Sequence, residues 1–422
     1  MTKQTNVPNI RFAEYVDAWE TTPLSDLVVS VDSGWSPQCD EGSAAGSEWG
    51  VLKTTSVQWT GFEPDKNKKL PKALEPRNSL SLKQGDILVT RAGPNERVGV
   101  VSLVDKDYPN LMLSDKIIRL RTKPEINPSY LTLNLCLKKS NYQIMRKASG
   151  LATSQTNISQ KFLLQTKLSI PTFPEQQKIA SFLSKVDEKI ALLTEKQDKL
   201  TEYKKGVLQQ LFNGSFQEQD GQLTFIPPTL RFKADDGSEF PDWEEKKGAE
   251  LFASISNKHH NSDLPVLAIT QNQGAIPRSL IDYNISVADT SVASYKVVEK
   301  GDFIISLRSF QGGVEYSEYT GICSPAYVIL RAKIDISDYF YKYYLKTYPF
   351  IVEMQKRLEG IRDGKIISYK YFSEISMPYP TKMEQDKIVS FLSTIDQKIN
   401  LATSELEKAK EWKKGLLQQM FA

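Results

Sequence analysis

The sequence predicts an α+β protein of two related β-rich domains, each followed by one long helix, with the two helices paired as an antiparallel coiled coil. Three observations carry this. The stretch "EQQKIASFLSKVDEKI" (Glu175 to Ile190) recurs as "EQDKIVSFLSTIDQKI" (Glu384 to Ile399), and the repeat runs without a gap from Glu175 to Phe212 and from Glu384 to Phe421. The shift is 384 − 175 = 209, with roughly 22 of 38 positions identical. A chain of 422 residues is too long for one ordinary core. The segments ahead of the repeats share a weaker pattern of short β-rich runs.

Residues 1–170 form the first domain. "PNIRF" leads to Trp19. "LKQGDILVTRAGP" places a polar turn at Gly85 and Asp86 before a β-rich run ending at Arg91. "RVGVVSLV" and "LMLSDKIIRLR" add strands, and "NPSYLTLNLCLKKSNYQIMRKA" reads as helix. Residues 171–214 form the first long helix. Thr172 and Glu175 make the T-x-x-E signature of a capping box, and Pro174 sits in the opening turn, where a missing N–H costs nothing. Its apolar stripe is Ile179, Phe182, Val186, Ile190, Leu193, Leu200, Tyr203, Val207 and Leu211.

Residues 215–227 are a linker within the turn-rich "NGSFQEQDGQLTFIPP". The second domain, residues 228–379, repeats the punctuation with "PTLRF" before Trp243, "VEKGDFIISLRSF" around Gly301 and Asp302, "SPAYVILRA", and a helical "SDYFYKYYLKTYPFIVEMQKRL". Residues 380–422 are the second long helix, opened by Thr381 and Glu384. Its stripe is Ile388, Phe391, Ile395, Ile399, Ala402, Leu406, Ala409, Trp412, Leu416 and Met420. About 37 residues at 1.5 Å each give a rod of roughly 55 Å. Pairing the two rods hides both stripes and gives the chain an approximate internal two-fold, as in a homodimer. The domains diverge between strands: "LKTTSVQWTGFEPDKNKKLPK" has only a loose counterpart in "LAITQNQGAIPRSLIDYN". A shared frame with unlike loops predicts two different surfaces.

Composition narrows function by exclusion. At 40% hydrophobic and 25% charged residues, with no apolar run near the roughly 18 needed for a membrane span, the chain reads as soluble. The opening "MTKQTNVPNIRF" lacks an export signal, so a cytoplasmic location is expected. Cys39, Cys136 and Cys323 signal neither a disulfide framework nor a zinc site. The balance of 54 basic and 51 acidic residues makes any basic footprint local. The only histidines, His259 and His260, fall in the polar loop "SNKHHNSD", which starves acid–base and metal chemistry of its commonest residue.

Motifs point the same way. "NPSY" (Asn127 to Tyr130) approximates the tetrapeptide with which amino-methyltransferases hold a flipped base, but Ser stands at its third position and no glycine-rich cofactor turn accompanies it, "FQGGVE" included. It reads as an Asn-Pro helix start. The acids of "PDWEEKK" are confined to one short stretch, and phosphate-loop, H-E-x-x-H and G-x-S-x-G patterns are missing. No catalytic residue or metal site is expected. A polar and basic loop vocabulary remains: Lys53, Thr54, Thr55, Arg91, Asn95, Arg97, Ser149, Thr153 and Ser154 in the first domain. Thr270, Gln271, Asn272, Arg308, Ser309, Gln311, Arg362 and Lys365 supply it in the second. Arg reads guanine, Asn and Gln read adenine, and Ser and Thr hold phosphate, so these are candidate DNA contacts.

With these residues in view, the chain resembles the specificity subunit of type I restriction-modification systems over essentially its whole length. The similarity is strongest in the two repeats with "YKKGVLQQLF" and "WKKGLLQQMF", and extends to the P-x-[IL]-R-F…W openings, "KGDFIISLRSFQGG" and "SPAYVIL". The resemblance implies that the β-rich domains are target recognition domains, each reading half of a split site on double-stranded DNA. It also implies docking of two methyltransferase subunits and of ATP-driven restriction subunits. S-adenosylmethionine, ATP and Mg are then expected on those partners, with no cofactor on this chain. Candidate docking positions are the repeated, outward-facing Gln176, Lys178, Asp187 and Lys189 with Gln385, Lys387, Asp396 and Lys398. The rods would act as a ruler: one helical turn fewer, about 5.4 Å, would move the gap between half-sites by one or two base pairs. Two alternatives stay open: a fused DNA methyltransferase or nuclease, which alone would modify DNA, and a coiled-coil scaffold with two protein-binding heads, which would ignore DNA sequence.

Overall fold

The computed structural model describes residues 7–39, 41–149, 156–219, 222–261, 263–271, 273–281, 292–306, 314–356 and 368–421. Its contacts divide the chain into two units, residues 1–194 with 405–422 and residues 195–404. Each unit therefore contains stretches of both long helices.

The first unit contains β1 (Glu20–Pro23), β2 (Val28–Ser33), β3 (Ile87–Thr90), β4 (Val101–Leu103), β5 (Ile117–Thr122), α1 (Pro128–Cys136) and β6 (Lys167–Ile170). Strands β2, β5, β3 and β4 form an antiparallel sheet in that order, and β1 pairs with β6. A second sheet, ordered 67–69, 50–52, 108–112, 81–82, is added to this frame. The first long helix is α2 (Phe173–Leu211).

The second unit follows the same plan with β7 (Glu244–Lys247), β8 (Phe252–Ile255), β9 (Phe303–Ile305), β10 (Glu315–Tyr316), β11 (Val328–Ala332), α3 (Asp338–Tyr344), β12 (Ser376–Tyr379) and α4 (Lys382–Gln419). Its antiparallel sheet runs β8, β11, β9, β10, and β7 pairs with β12. In place of the added four-stranded sheet stand two ribbons, 267–270 with 274–277 and 296–298 with 321–323. Shared frame and unlike additions are thus visible in the topology.

The repeated Gly-Asp turn has a physical reason in both units. Gly85 and Gly301 adopt φ of 88° and 100°, a left-handed conformation that costs an L side chain about 1–2 kcal/mol. The turn aims the next carboxylate inward: Asp86 accepts from Lys83 N–H at 2.9 Å and Asp302 from Glu299 N–H at 2.7 Å. An arginine of the neighbouring strand grips each acid with two hydrogen bonds, Arg121 on Asp86 at 2.6 and 3.2 Å, Arg331 on Asp302 at 2.7 and 2.8 Å. These bonds raise the pKa of both guanidiniums. Gly85→Ala is expected to destabilise the protein by about 1–2 kcal/mol, read as a lower denaturant midpoint.

The two long helices run antiparallel within each unit. In the first, Ile179, Leu183 and Val186 share a core with Leu416, Met420 and Phe421, and Asp187 pairs with Lys413 at 2.5 Å. In the second, Val207 and Leu211 meet Ile388, Leu392 and Ile395, and Lys204 pairs with Asp396 at 2.5 Å. The partners are repeat-equivalent: 187 + 209 = 396 and 204 + 209 = 413. Two expected stripe positions are not sealed. Tyr203 is 54% exposed and Trp412 48%, because the stripe is wider than the seam and these large rings sit at its edge.

Two local expectations are corrected. The helices begin one residue after Thr172 and Thr381, and Thr381 Oγ1 accepts from Glu384 N–H at 3.4 Å. The Glu175 and Glu384 carboxylates do not return to the threonines as a full capping box would require, because arginines from the domain openings hold them. The segment read as a linker folds into a hairpin, Ser215–Gln219 with Gln222–Ile226, whose Phe225 stacks on Trp243 at 5.5 Å between ring centroids. No described helix is long and apolar enough to cross a membrane.

Candidate nucleic-acid interface

Each unit rests on an equivalent buried carboxylate–arginine fastening. Glu175, fully buried, takes two hydrogen bonds from Arg11 at 2.7 and 2.8 Å and one from Trp19 Nε1 at 3.3 Å. Glu384, equally buried, takes 3.0 and 3.2 Å bonds from Arg231. The "IRF" and "LRF" openings are therefore anchors that tie each domain to the start of a long helix. The adjacent glutamine does the same from the other side. Gln176 accepts from Asn127 N–H at 2.9 Å and donates to Pro171 O at 2.9 Å, while Gln385 accepts from Ser337 N–H at 2.8 Å and donates to Pro380 O at 2.8 Å.

This corrects the expected set of outward helix positions. Gln176 and Gln385 are 1% and 0% exposed and face inward, since their amides satisfy backbone groups that burial would otherwise strand. Asp187 and Asp396 are taken up by the interhelical lysines, and Asp396 also accepts from Tyr343 at 2.6 Å. Lys178 pairs with Glu14, and Lys387 binds Asp235 at 2.7 Å and Lys233 O at 2.6 Å. Lys189 and Lys398 are exposed.

Of the loop candidates, Lys53, Thr54, Thr55 and Arg97 come together in the first unit. The Arg97 guanidinium bonds Gln58 Oε1 at 2.8 Å, Thr54 O at 2.8 Å and Val57 O at 2.9 Å. Three of its five N–H donors are thus spent on the protein, which makes it a brace for the Thr54–Gln58 segment. Lys53 and Thr54, with Ser36, Lys68, Ser114 and Lys116, line a cleft of about 240 Å³. Arg91 and Ser149 meet at a small ribbon, where Ser149 exchanges backbone bonds with Asn157 and Arg91 O accepts from Ile158 N–H at 2.8 Å. Asn95 is exposed in the turn Asn95–Arg97. In the second unit Thr270 closes its own turn by donating to Gly274 O at 2.9 Å, beside exposed Gln271. Thr153, Ser154, Asn272, Arg308, Ser309, Gln311, Arg362 and Lys365 lie outside the described residues.

Burial pushes the Cys136 and Cys323 thiols up to about 12, the reverse of what a nucleophile needs. His260 has a ring nitrogen 3.1 Å from Tyr295 O, and His259 is exposed. Among the described residues no group of three or more His, Cys, Asp or Glu is arranged to hold a metal.

A frame built twice, carrying dissimilar outer sheets and polar loops, defines a duplicated recognition protein. The chain belongs to the type I restriction-modification specificity subunits: the family model described as the type I restriction modification DNA specificity domain matches residues 19–202 and 241–411. It is 41% identical over 165 residues to the type I restriction enzyme EcoEI specificity subunit of Escherichia coli, a match covering 39% of this chain and 28% of that protein. Against the putative type I restriction enzyme MjaX specificity subunit of Methanocaldococcus jannaschii it is 24% identical over 438 residues, covering 98% of this chain and 95% of that one. In fold it is similar to the crystal structure of the type I restriction-modification system S subunit from M. genitalium, with TM-score 0.58, 17% identity and 99% of each chain covered.

Proposed function

We propose that this chain reads a split, asymmetric site on double-stranded DNA, one half-site per unit, for a complex whose methyltransferase and restriction subunits perform the chemistry. The observation that supports it best is the repeated frame. Equivalent Glu–Arg, Gln–backbone and Asp–Arg fastenings hold two different outer surfaces, as a reader of two different half-sites requires. S-adenosylmethionine, ATP and Mg belong to the partners, this chain acts without catalysis, and the complex works in the cytoplasm. Docking in this reading uses Lys189 and Lys398 with apolar side chains that both helices leave outside: Leu192 at 66% and its repeat mate Leu401 at 58% exposure, with Tyr203 and Trp412.

The helices set the gap between half-sites. Removing one heptad from the middle of each helix preserves the apolar stripe and shortens each by about 10.5 Å. Mapping methylated adenines across a genome in cells that also carry the cognate methyltransferase subunit should then show the same two half-sites with a gap shorter by about three base pairs of 3.4 Å. An unchanged gap would remove the ruler from the proposal.

A further inference from the structure

The exposed aromatic Trp59 has no role in the frame, yet everything beneath it is held rigid. It occupies the two-residue tip of a hairpin in which Val57 pairs with Phe62 and Gln58 with Gly61. Trp59 is 50% exposed and Thr60 is exposed beside it. The root is fixed in three ways. Val57 is fully buried in the core of the added sheet, the Phe62 ring meets Tyr108 edge-on at 5.4 Å, and Arg97 ties Thr54, Val57 and Gln58 to the turn Asn95–Arg97. Ser56 adds a bond to Lys53 O at 2.6 Å, and Gln58 one to Thr55 O at 2.8 Å.

Arg97 is half-buried, and covering its Nε without a partner is a cost that an idle surface loop would not retain. A rigid aromatic presented to solvent loses little conformational entropy on contact, which is what makes tryptophan a favoured binding anchor. The neighbouring chemistry names the ligand. The cleft lined by Lys53, Lys68, Lys116, Ser36 and Thr54 shares Lys53 and Thr54 with the hairpin root, and Ser114 contributes a buried hydroxyl without a partner. Ser36 also donates to Asp115, so the cleft presents three lysines and three hydroxyls beside one carboxylate, with Pro37, Cys39, Val51 and Leu52 completing its lining. An aromatic next to lysines and hydroxyls suits a nucleotide, base or sugar against the ring and phosphate in the cleft.

We propose that the Val57–Phe62 hairpin is the base-contacting wedge of the first unit, with Trp59 packing on a base or sugar of its half-site. The adjoining cleft holds a backbone phosphate, and Arg97 acts as a positioning residue. This rests on the DNA-reading function proposed above, and the test separates the two. The full-length chain, co-expressed with its methyltransferase subunit, is used to select bound duplexes from a randomised library.

Wild type should enrich a split motif. Trp59→Ala should lose about tenfold in affinity and blur one half of the motif while keeping the other, and Trp59→Phe should retain most of both. Lys53→Gln and Lys116→Gln should weaken all sequences alike, each lowering the slope of log affinity against log salt by about 1. Arg97→Met should blur the same half as Trp59→Ala, with the lysine-dependent salt slope retained. If wild type enriches no motif, the reading function falls and this inference with it. If wild type enriches a split motif and Trp59→Ala leaves both halves sharp, the wedge alone is overturned.

Discussion

Glu175→Ala is expected to cost the first unit about 3–5 kcal/mol, enough to unfold it near physiological temperature. The carboxylate is fully buried, and Arg11, whose side chain is only 11% exposed, gives it two charge-assisted hydrogen bonds. Removing the acid strands that guanidinium without a counter-charge, and the Trp19 indole loses an acceptor. Glu175→Gln keeps shape and an acceptor and should cost less. Glu384→Ala should be milder than Glu175→Ala, because Arg231 retains a bond to Pro241 O and lies 3.7 Å from Asp242. Urea unfolding followed by tryptophan fluorescence checks the order; equal losses from both substitutions would show that the second arginine gains nothing from its extra acceptors.

Phe252→Ala should be comparably damaging to the second unit, at about 3–5 kcal/mol. The ring is fully buried and sits edge-on to Phe303, Tyr341 and Phe372 at centroid separations of 5.3, 5.4 and 5.8 Å. Truncation removes a whole aromatic from a set of interlocking rings that cannot all shift to fill the gap. The bond from the Tyr369 hydroxyl to Phe252 O uses the backbone and survives, so the loss isolates packing. Phe252→Leu should recover about half of the stability in calorimetry.

How far the sequence foretold this molecule depended on whether a signal was local. The long helices were legible because a 3.6-residue stripe over more than ten turns has no competing reading, and duplication doubled the signal. The Gly-Asp turns were legible as punctuation, though not the arginine that each acid would meet on another strand. Gln176 and Gln385 look like surface from sequence, since a polar residue next to a helix start reads as solvated. Their backbone partners are set by tertiary folding, 49 and 48 residues away for Asn127 and Ser337. The bracing role of Arg97 is hidden for the same reason: arginine in a polar loop has the chemistry of a base reader, and only the fold shows three of its donors turned onto Thr54, Val57 and Gln58. Trp59 is a single aromatic in "VQWTGF", where only Gly61 after Trp59-Thr60 hints at a hairpin tip. The segment between the first long helix and the second domain carries Phe216 and Phe225, which become cross-strand partners in its hairpin, and two isolated apolar residues nine positions apart do not outweigh its turn formers.

The placement of Phe421 has a consequence for how the protein is born. Its ring stacks on Tyr130 at 5.4 Å and meets Trp19 edge-on at 6.4 Å, while Ile10 N–H bonds Gln419 O at 2.9 Å. The unit that leaves the ribosome first therefore waits, with an open apolar face, for residues more than 200 positions downstream. At roughly 5–20 residues per second that wait lasts on the order of ten seconds or more, a window in which chaperones and proteases compete for the nascent chain. A nonsense mutation near residue 415 would accordingly injure the first unit, whose core takes in Leu416, Met420 and Phe421.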